Sequence, residues 1–311
     1  MKKCLIKDYI FKIRKKISSK TLIILGGILF SFFVRYFIYH YIASKDSFLY
    51  LVVHEPYGYL VEASNIFRGG EWFMGDYYGN YQLLTFHPKG YTLLLTFLMM
   101  IGCDPMHVAH IIMMVCDAFS GYFIYKICDT LFSKSSLSIG ALYLWAINPF
   151  VVLTCLMDYP DALGCFFVSL ILYLYYCKMN NETLKYALLG ITIAISASFR
   201  SEYVLIIILA IVMDGLRKKE RMRYLSKWLI MLTCFITVMT PWMIYSYVKS
   251  GHVILTSTTM WGSAYSAIGE KPDNSIHTAM GDDYVDYYAQ EHGLDGAYMY
   301  EGNQFYKEKF L

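Results

Sequence analysis

The stretch GYTLLLTFLMMIG, Gly90–Gly102, is apolar almost throughout and only thirteen residues long. A helix of that length covers roughly 20 Å, against a hydrocarbon core of ~30 Å. Whether it crosses decides the side on which every later loop lies. Counted as a crossing, it exports LRKKERMRYLSK, Leu216–Lys227, with its six Lys and Arg residues. Counted as an interfacial or re-entrant helix, it keeps that cluster inside, together with Lys126, Lys134, Lys178 and Lys185. The first twenty residues, with eight Lys and Arg, lie on the same side. Basic loops stay in the cytoplasm, so the second reading is the consistent one.

Composition agrees with a membrane protein. The 311-residue chain is 57% hydrophobic and 16% charged, with mean hydropathy +0.41 and a net charge of +3. Soluble domains carry about a quarter charged residues. The predicted fold is an all-α polytopic membrane protein with about seven transmembrane helices. These run over 21–42, 106–127, 137–156, 162–177, 186–199, 203–215 and 228–247. Residues 1–20 form a basic cytoplasmic N-terminus and 21–247 the transmembrane domain. Within it, 43–105 is a long external loop carrying interfacial helices. Residues 248–311 form an external C-terminal segment. The basic start is a membrane-orienting flank and not a nucleic-acid patch, and its apolar run is too extended for a cleaved signal peptide. Eight cysteines form no CxxC pair, which argues against a disulfide framework or a zinc site.

This topology collects polar chemistry on the outer face: Glu55, Glu62, His87, Lys89, Asp158, Asp161, Arg200 and Glu202. Polar groups at membrane depth are expensive, so a cluster of them is a site hypothesis. In MDYPDAL, Met157–Leu163, two carboxylates three residues apart would share one face of a helical turn. They form either a polar floor for a substrate or simple acidic turn residues. Arg200, in SASFRSEYVL, is either a fixed cation for a phosphate or an interfacial Arg paired with Glu202. Lys89, in TFHPKGYTLL, lies within reach of an anionic lipid headgroup or anchors a plain turn made by Pro88 and Gly90. His87 beside it has no role fixed by spacing. Asp117, inside the second span, either pairs with Arg35 across helices or lies near an end of its own helix. Arg35 and His40 either snorkel or face the interior. The carboxylates of GDDYVDYY, Gly281–Tyr288, either bind a cation or belong to a solvated loop, the second reading being favoured. His107 and His110 flank a helix start and do not by their spacing indicate a metal.

Five segments together resemble a known family: EPYGYLVEASNIFRGG, HPKGYTLLLTFLMMIG, YPDALGCFF, SFRSEYVL and PWMIYSYVKSGHVILTST. Their order over about residues 20–260 is similar to the integral-membrane GT-C glycosyltransferases. These include the protein O-mannosyltransferases, lipid A aminoarabinose transferase and the related bacterial Rgt-type enzymes. The resemblance implies a polyprenyl-phosphate sugar donor, an acceptor hydroxyl on a glycan, lipid or protein, and transfer with inversion on the external face of the cell membrane for cell-envelope glycosylation. It implies no cofactor, and no metal is assigned. Glu55, where the family more often has Asp, matches the catalytic base, four residues before Tyr59. Asp161, or Asp158, matches a second acid, and Arg200 a basic position near the lipid phosphate. Lys89 stands where the family more often has Pro. His87, Tyr59 and Glu202 complete the candidate substrate-binding set. Family members usually continue with more spans, so a fragment, a truncated product, a short variant or an inactive remnant stay open as alternatives; a transporter or flippase is a separate alternative.

Overall fold

The computed structural model describes residues 18–43, 58–70, 87–132, 134–217, 221–258, 261, 289–294 and 300–310. Glu55, the segment 281–288, and residues 1–17 and 218–220, which hold much of the two basic clusters, lie outside them. The described residues are helical, as apolar runs must be where no water can bond the backbone. The helices are α1 (Ser19–Ala43), α2 (Tyr59–Phe67), α3 (Lys89–Met100), α4 (Pro105–Phe132), α5 (Ser135–Ile147), α6 (Pro149–Thr154), α7 (Asp161–Tyr176), α8 (Glu182–Phe199), α9 (Leu205–Arg217), α10 (Arg221–Ser250) and α11 (Tyr300–Phe310). A 3-10 turn, Ser201–Val204, joins α8 to α9.

Three of these are long and apolar enough to cross a membrane: 19–42 in α1, all of α4, and 224–250 in α10. The other helices on predicted spans are shorter, and α3, at twelve residues, has the length of an interfacial element. Exposed Leu22, Leu29 and Phe37 on α1, and Leu205, Leu209 and Leu216 on α9, present an apolar exterior to lipid. The protein is an integral membrane protein.

The predicted span 137–156 is not one helix. Pro149 lacks an N–H to continue α5, and it forces Asn148 into an extended conformation (φ −66°, ψ 115°). The Asn148 side chain then accepts a hydrogen bond from Phe150 N, and Pro149 opens α6. A second difference lies in the tail, where α11 forms from a sequence too polar to suggest a buried helix; its Tyr306 is fully buried.

The chain divides into two compact units, Met1–Glu55 with His110–Lys178, and Pro56–Ala109 with Met179–Leu311. In the first, α5 lies close against α1 and α4. A Cβ on Gly27 would stand 2.6 Å from Leu142 Cδ2, and one on Gly121 3.0 Å from Leu142 Cδ1. Arg35 of α1 is fully buried and ion-paired with Asp117 of α4. Its Nη1 donates to the carbonyls of Ser31 (2.9 Å) and Ala146 (3.0 Å), and its Nη2 to that of Trp145 (3.4 Å). Trp145 Nε1 donates to the Asp117 carbonyl at 3.2 Å. One guanidinium thus binds three helices together. Of the two placements open for each residue, the interior is correct for Arg35 and the cross-helix pair for Asp117. His40 is exposed, with its ring edge-on to Tyr36 at 4.4 Å.

In the second unit α8 packs along α10. Gly190 makes this possible, since a Cβ there would lie 2.2 Å from the Met231 carbonyl. One turn away from that approach, Asp214 of α9 is buried and accepts hydrogen bonds from the Tyr186 hydroxyl and from Trp228 Nε1 at 3.2 Å.

Candidate active site

The second unit holds the densest polar constellation among the described predicted residues. Helix α2 buries one face, made of Tyr59, Glu62 and Ala63, at helical spacing. That face meets α3, and Glu62 carries its carboxylate into the contact, 3% exposed. Its Oε2 accepts from Lys89 Nζ at 2.9 Å and from Thr92 Oγ1 at 2.7 Å. Its Oε1 faces His87 Nδ1 at 3.5 Å. Burial by itself would push the Glu62 carboxyl up. The Lys89 ammonium and the His87 ring outweigh burial and hold it down at about 2, so the group is ionised. Tyr59 stacks on His87 with ring centroids 4.1 Å apart and meets Tyr91 edge-on at 5.1 Å.

Lys89 is therefore neither an exposed interfacial anchor nor part of an open turn. It is 5% exposed and begins α3, with Pro88 as its N-cap. Gly90 is not a turn residue either. It sits inside the first turn of α3, where a Cβ would fall 2.5 Å from Ser198 Oγ and 2.6 Å from the Ser198 carbonyl. Only glycine lets α3 approach the end of α8 this closely.

That approach brings Lys89 to the wall of a cavity of about 260 Å³. Leu93, Ile195, Met239, Pro241, Trp242 and Thr256 contribute to its largely apolar lining. Trp242 Nε1 is buried without a hydrogen-bond acceptor among the described residues. Arg200 follows Ser198 by two residues and caps α8; its Nε donates to Glu202 Oε1 at 2.5 Å, both side chains being more than a third exposed. The turn that carries them is tied to the segment beyond α10 by Ser201 and Ser257, whose hydroxyls lie 2.6 Å apart.

The remaining two predicted acids belong to the first unit. Asp161 occupies the first turn of α7, where a carboxylate suits the positive end of the helix dipole. Asp158 is not on the same helical turn, because residues 155–160 are irregular and α7 starts only at Asp161. Pro160 stands as the N-cap and separates the two. Asp158 instead faces His110 of α4, Oδ1 to Nε2 at 3.3 Å. His110 is 2% exposed and packs on Tyr39 with ring centroids 5.0 Å apart.

The structure thus brings Tyr59, His87 and Lys89 together and sets Arg200 with Glu202. It adds two residues to which sequence reasoning assigned no role, Glu62 and His110. The signal for Glu62 was present, since it lies three residues after Tyr59 and one before Ala63, on the buried stripe of α2. His110 carried no comparable signal, because its partner arrives from 48 positions away by tertiary packing.

A family model described as dolichyl-phosphate-mannose-protein mannosyltransferase matches residues 86–245, a little over half of the 311-residue chain. No curated protein and no solved structure matches the chain. The matched stretch includes His87, Lys89, Asp158, Asp161, Arg200 and Glu202, and Glu55, Tyr59 and Glu62 precede it.

Proposed function

The chain belongs to the dolichyl-phosphate-mannose-protein mannosyltransferase family, and from that premise we propose that it transfers a sugar from a polyprenyl-phosphate carrier to an acceptor hydroxyl. The family name makes mannose the first donor sugar to test. The observation that carries the reading is the ion-paired Lys89 at the wall of an apolar cavity. An anionic phosphate on a long apolar chain needs a cation beside an apolar surface, and few other ligands need both.

The chemistry is a single displacement at the anomeric carbon. The bond from that carbon to the phosphate oxygen breaks, and a bond to the acceptor oxygen forms on the opposite face. Lys89 and Arg200 stabilise the departing polyprenyl phosphate. Glu55 takes the acceptor proton. Asp161 is the second catalytic acid of this reading, and Asp158, His87, Tyr59 and Glu202 are its further substrate-binding residues. The donor is already an activated phosphodiester and releases polyprenyl phosphate, a phosphomonoester, so the reaction needs no nucleotide and no cofactor. The distribution of basic loops supports a cytoplasmic N-terminus and, with it, this chemistry on the external face of the cell membrane. The acceptor class, whether glycan, lipid or protein, follows from the transfer assay.

The test uses the full chain in membranes with radiolabelled polyprenyl-phosphate mannose and a panel of acceptors. Glu55→Gln is expected to lower transfer by at least about 10²-fold. Transfer at the parental rate in Glu55→Gln removes Glu55 from the mechanism.

A further inference from the structure

We infer that Glu62 is a positioning residue for donor binding, acting through Lys89. This rests on the reading of Lys89 as the cation that meets the donor phosphate.

The argument starts from the bonds of one carboxylate. Glu62 engages Lys89, Thr92 and His87 at once, and it does so across a sequence gap of 25 to 30 residues. Lys89 and Thr92 both belong to the first turn of α3, so the carboxylate grips that turn at two points. A lysine is a flexible four-carbon stem with a compact charge at its end. Left alone at a cavity wall, its ammonium would sample many positions. Held at 2.9 Å from a buried, ionised carboxylate, it has one. Preorganisation of this kind lowers the cost of ligand binding.

The same carboxylate is the counter-charge of the Lys89 side chain, which is only 5% exposed. Tyr59, one turn before Glu62 on α2, stacks on His87 and closes the other side of the cluster. The cluster is therefore built from the helix that follows the Glu55 segment and from the turn that starts α3. Glu62 is the residue that joins them.

A purely structural clasp would predict something different. It would alter the amount of folded protein and leave the affinity of the folded fraction unchanged. A positioning role changes affinity for the phosphate carrier.

The experiment measures binding of radiolabelled polyprenyl phosphate to the full chain in nanodiscs, after size exclusion to select folded protein. The proteins are the parent, Glu62→Gln, Glu62→Asp, Lys89→Met and the double variant Glu62→Gln/Lys89→Met. Loss of a charge-assisted contact predicts about a tenfold weaker Kd for Glu62→Gln and at least as much for Lys89→Met. Glu62→Asp, which keeps the charge, recovers most of the affinity. The double variant binds no more weakly than Lys89→Met, because Glu62 has then lost the group through which it acts. Parental affinity in Glu62→Gln, with weakened binding in Lys89→Met, overturns the inference alone. Multiplying losses in the double variant also overturn it. Parental affinity in Lys89→Met overturns the reading of Lys89 and the inference with it. Glu62→Asp guards against misfolding of Glu62→Gln, since a carboxylate one methylene shorter still neutralises Lys89.

Discussion

Two buried cation–carboxylate pairs, one in each unit, do opposite jobs. Arg35–Asp117 joins long spanning helices, and its guanidinium is consumed by the acid and three backbone carbonyls. Lys89–Glu62 joins two short helices, and Lys89 lines a cavity. Histidine and tyrosine rings crowd the second pair. The choice of cation follows the job. Arg offers a rigid fork with five donors, suited to bonding several fixed acceptors at once. Lys offers a point charge on a stem, which a neighbour has to place. A buried ion pair thus says little about function until the remaining donors have been followed to their partners.

The largest effect that separates the two is on stability. Arg35→Met leaves Asp117 buried and unpaired, and three carbonyls lose a donor. We expect a loss of about 3–5 kcal/mol, read by unfolding in detergent, and substantial recovery in Arg35→Met/Asp117→Leu. If Arg35→Met is as stable as the parent, the first pair is not a lock and the contrast disappears. Gly90→Ala comes next. The added methyl pushes α3 off Ser198 and should cost about 1–3 kcal/mol, with weakened carrier binding because Lys89 moves with the helix. Unchanged binding would show that the cavity wall tolerates this shift.

The smallest effect is in acid. Glu62 is held at about 2, below its ordinary value of 4.5. A depressed carboxylate stabilises the fold fully above its unfolded value and loses that contribution as pH falls through the folded value. Thermal stability of the parent should therefore decline between about pH 4.5 and 2 more steeply than that of Glu62→Gln. Parallel curves would mean that the carboxylate is not held by its partners.

Helix positions were legible in the sequence because apolar runs report burial directly. The readings of 90–102, 106–127 and 162–177 fall on α3, α4 and α7 to within a few residues. The break at Pro149 was legible in principle, but the apolar run on both sides masked it. Asp158 and Asp161 were grouped by spacing, and spacing assumes a helix that has not yet begun. The site was read through charge and exposure, which singles out Lys89 and His87 and counts Glu62 only among the outer-face polar residues, without a role. Glu62 emerges only when helical period is weighed together with charge. Arg35–Asp117 was open as one of two alternatives, since no local pattern tells which distant helix will lie alongside.

The interleaving of the two units also has a consequence for the growing chain. The Glu62–Lys89 clasp spans 27 residues, and both its partners lie in one early instalment of the second unit. It can form while the rest of that unit is still unmade. Arg35 has to wait for the carbonyl of Ala146, 111 residues later. During synthesis from the N-terminus the candidate site can be seeded before the first unit is locked. A nascent chain released after residue 109 would carry the clasp but neither Asp117 nor the walls supplied by α8 and α10.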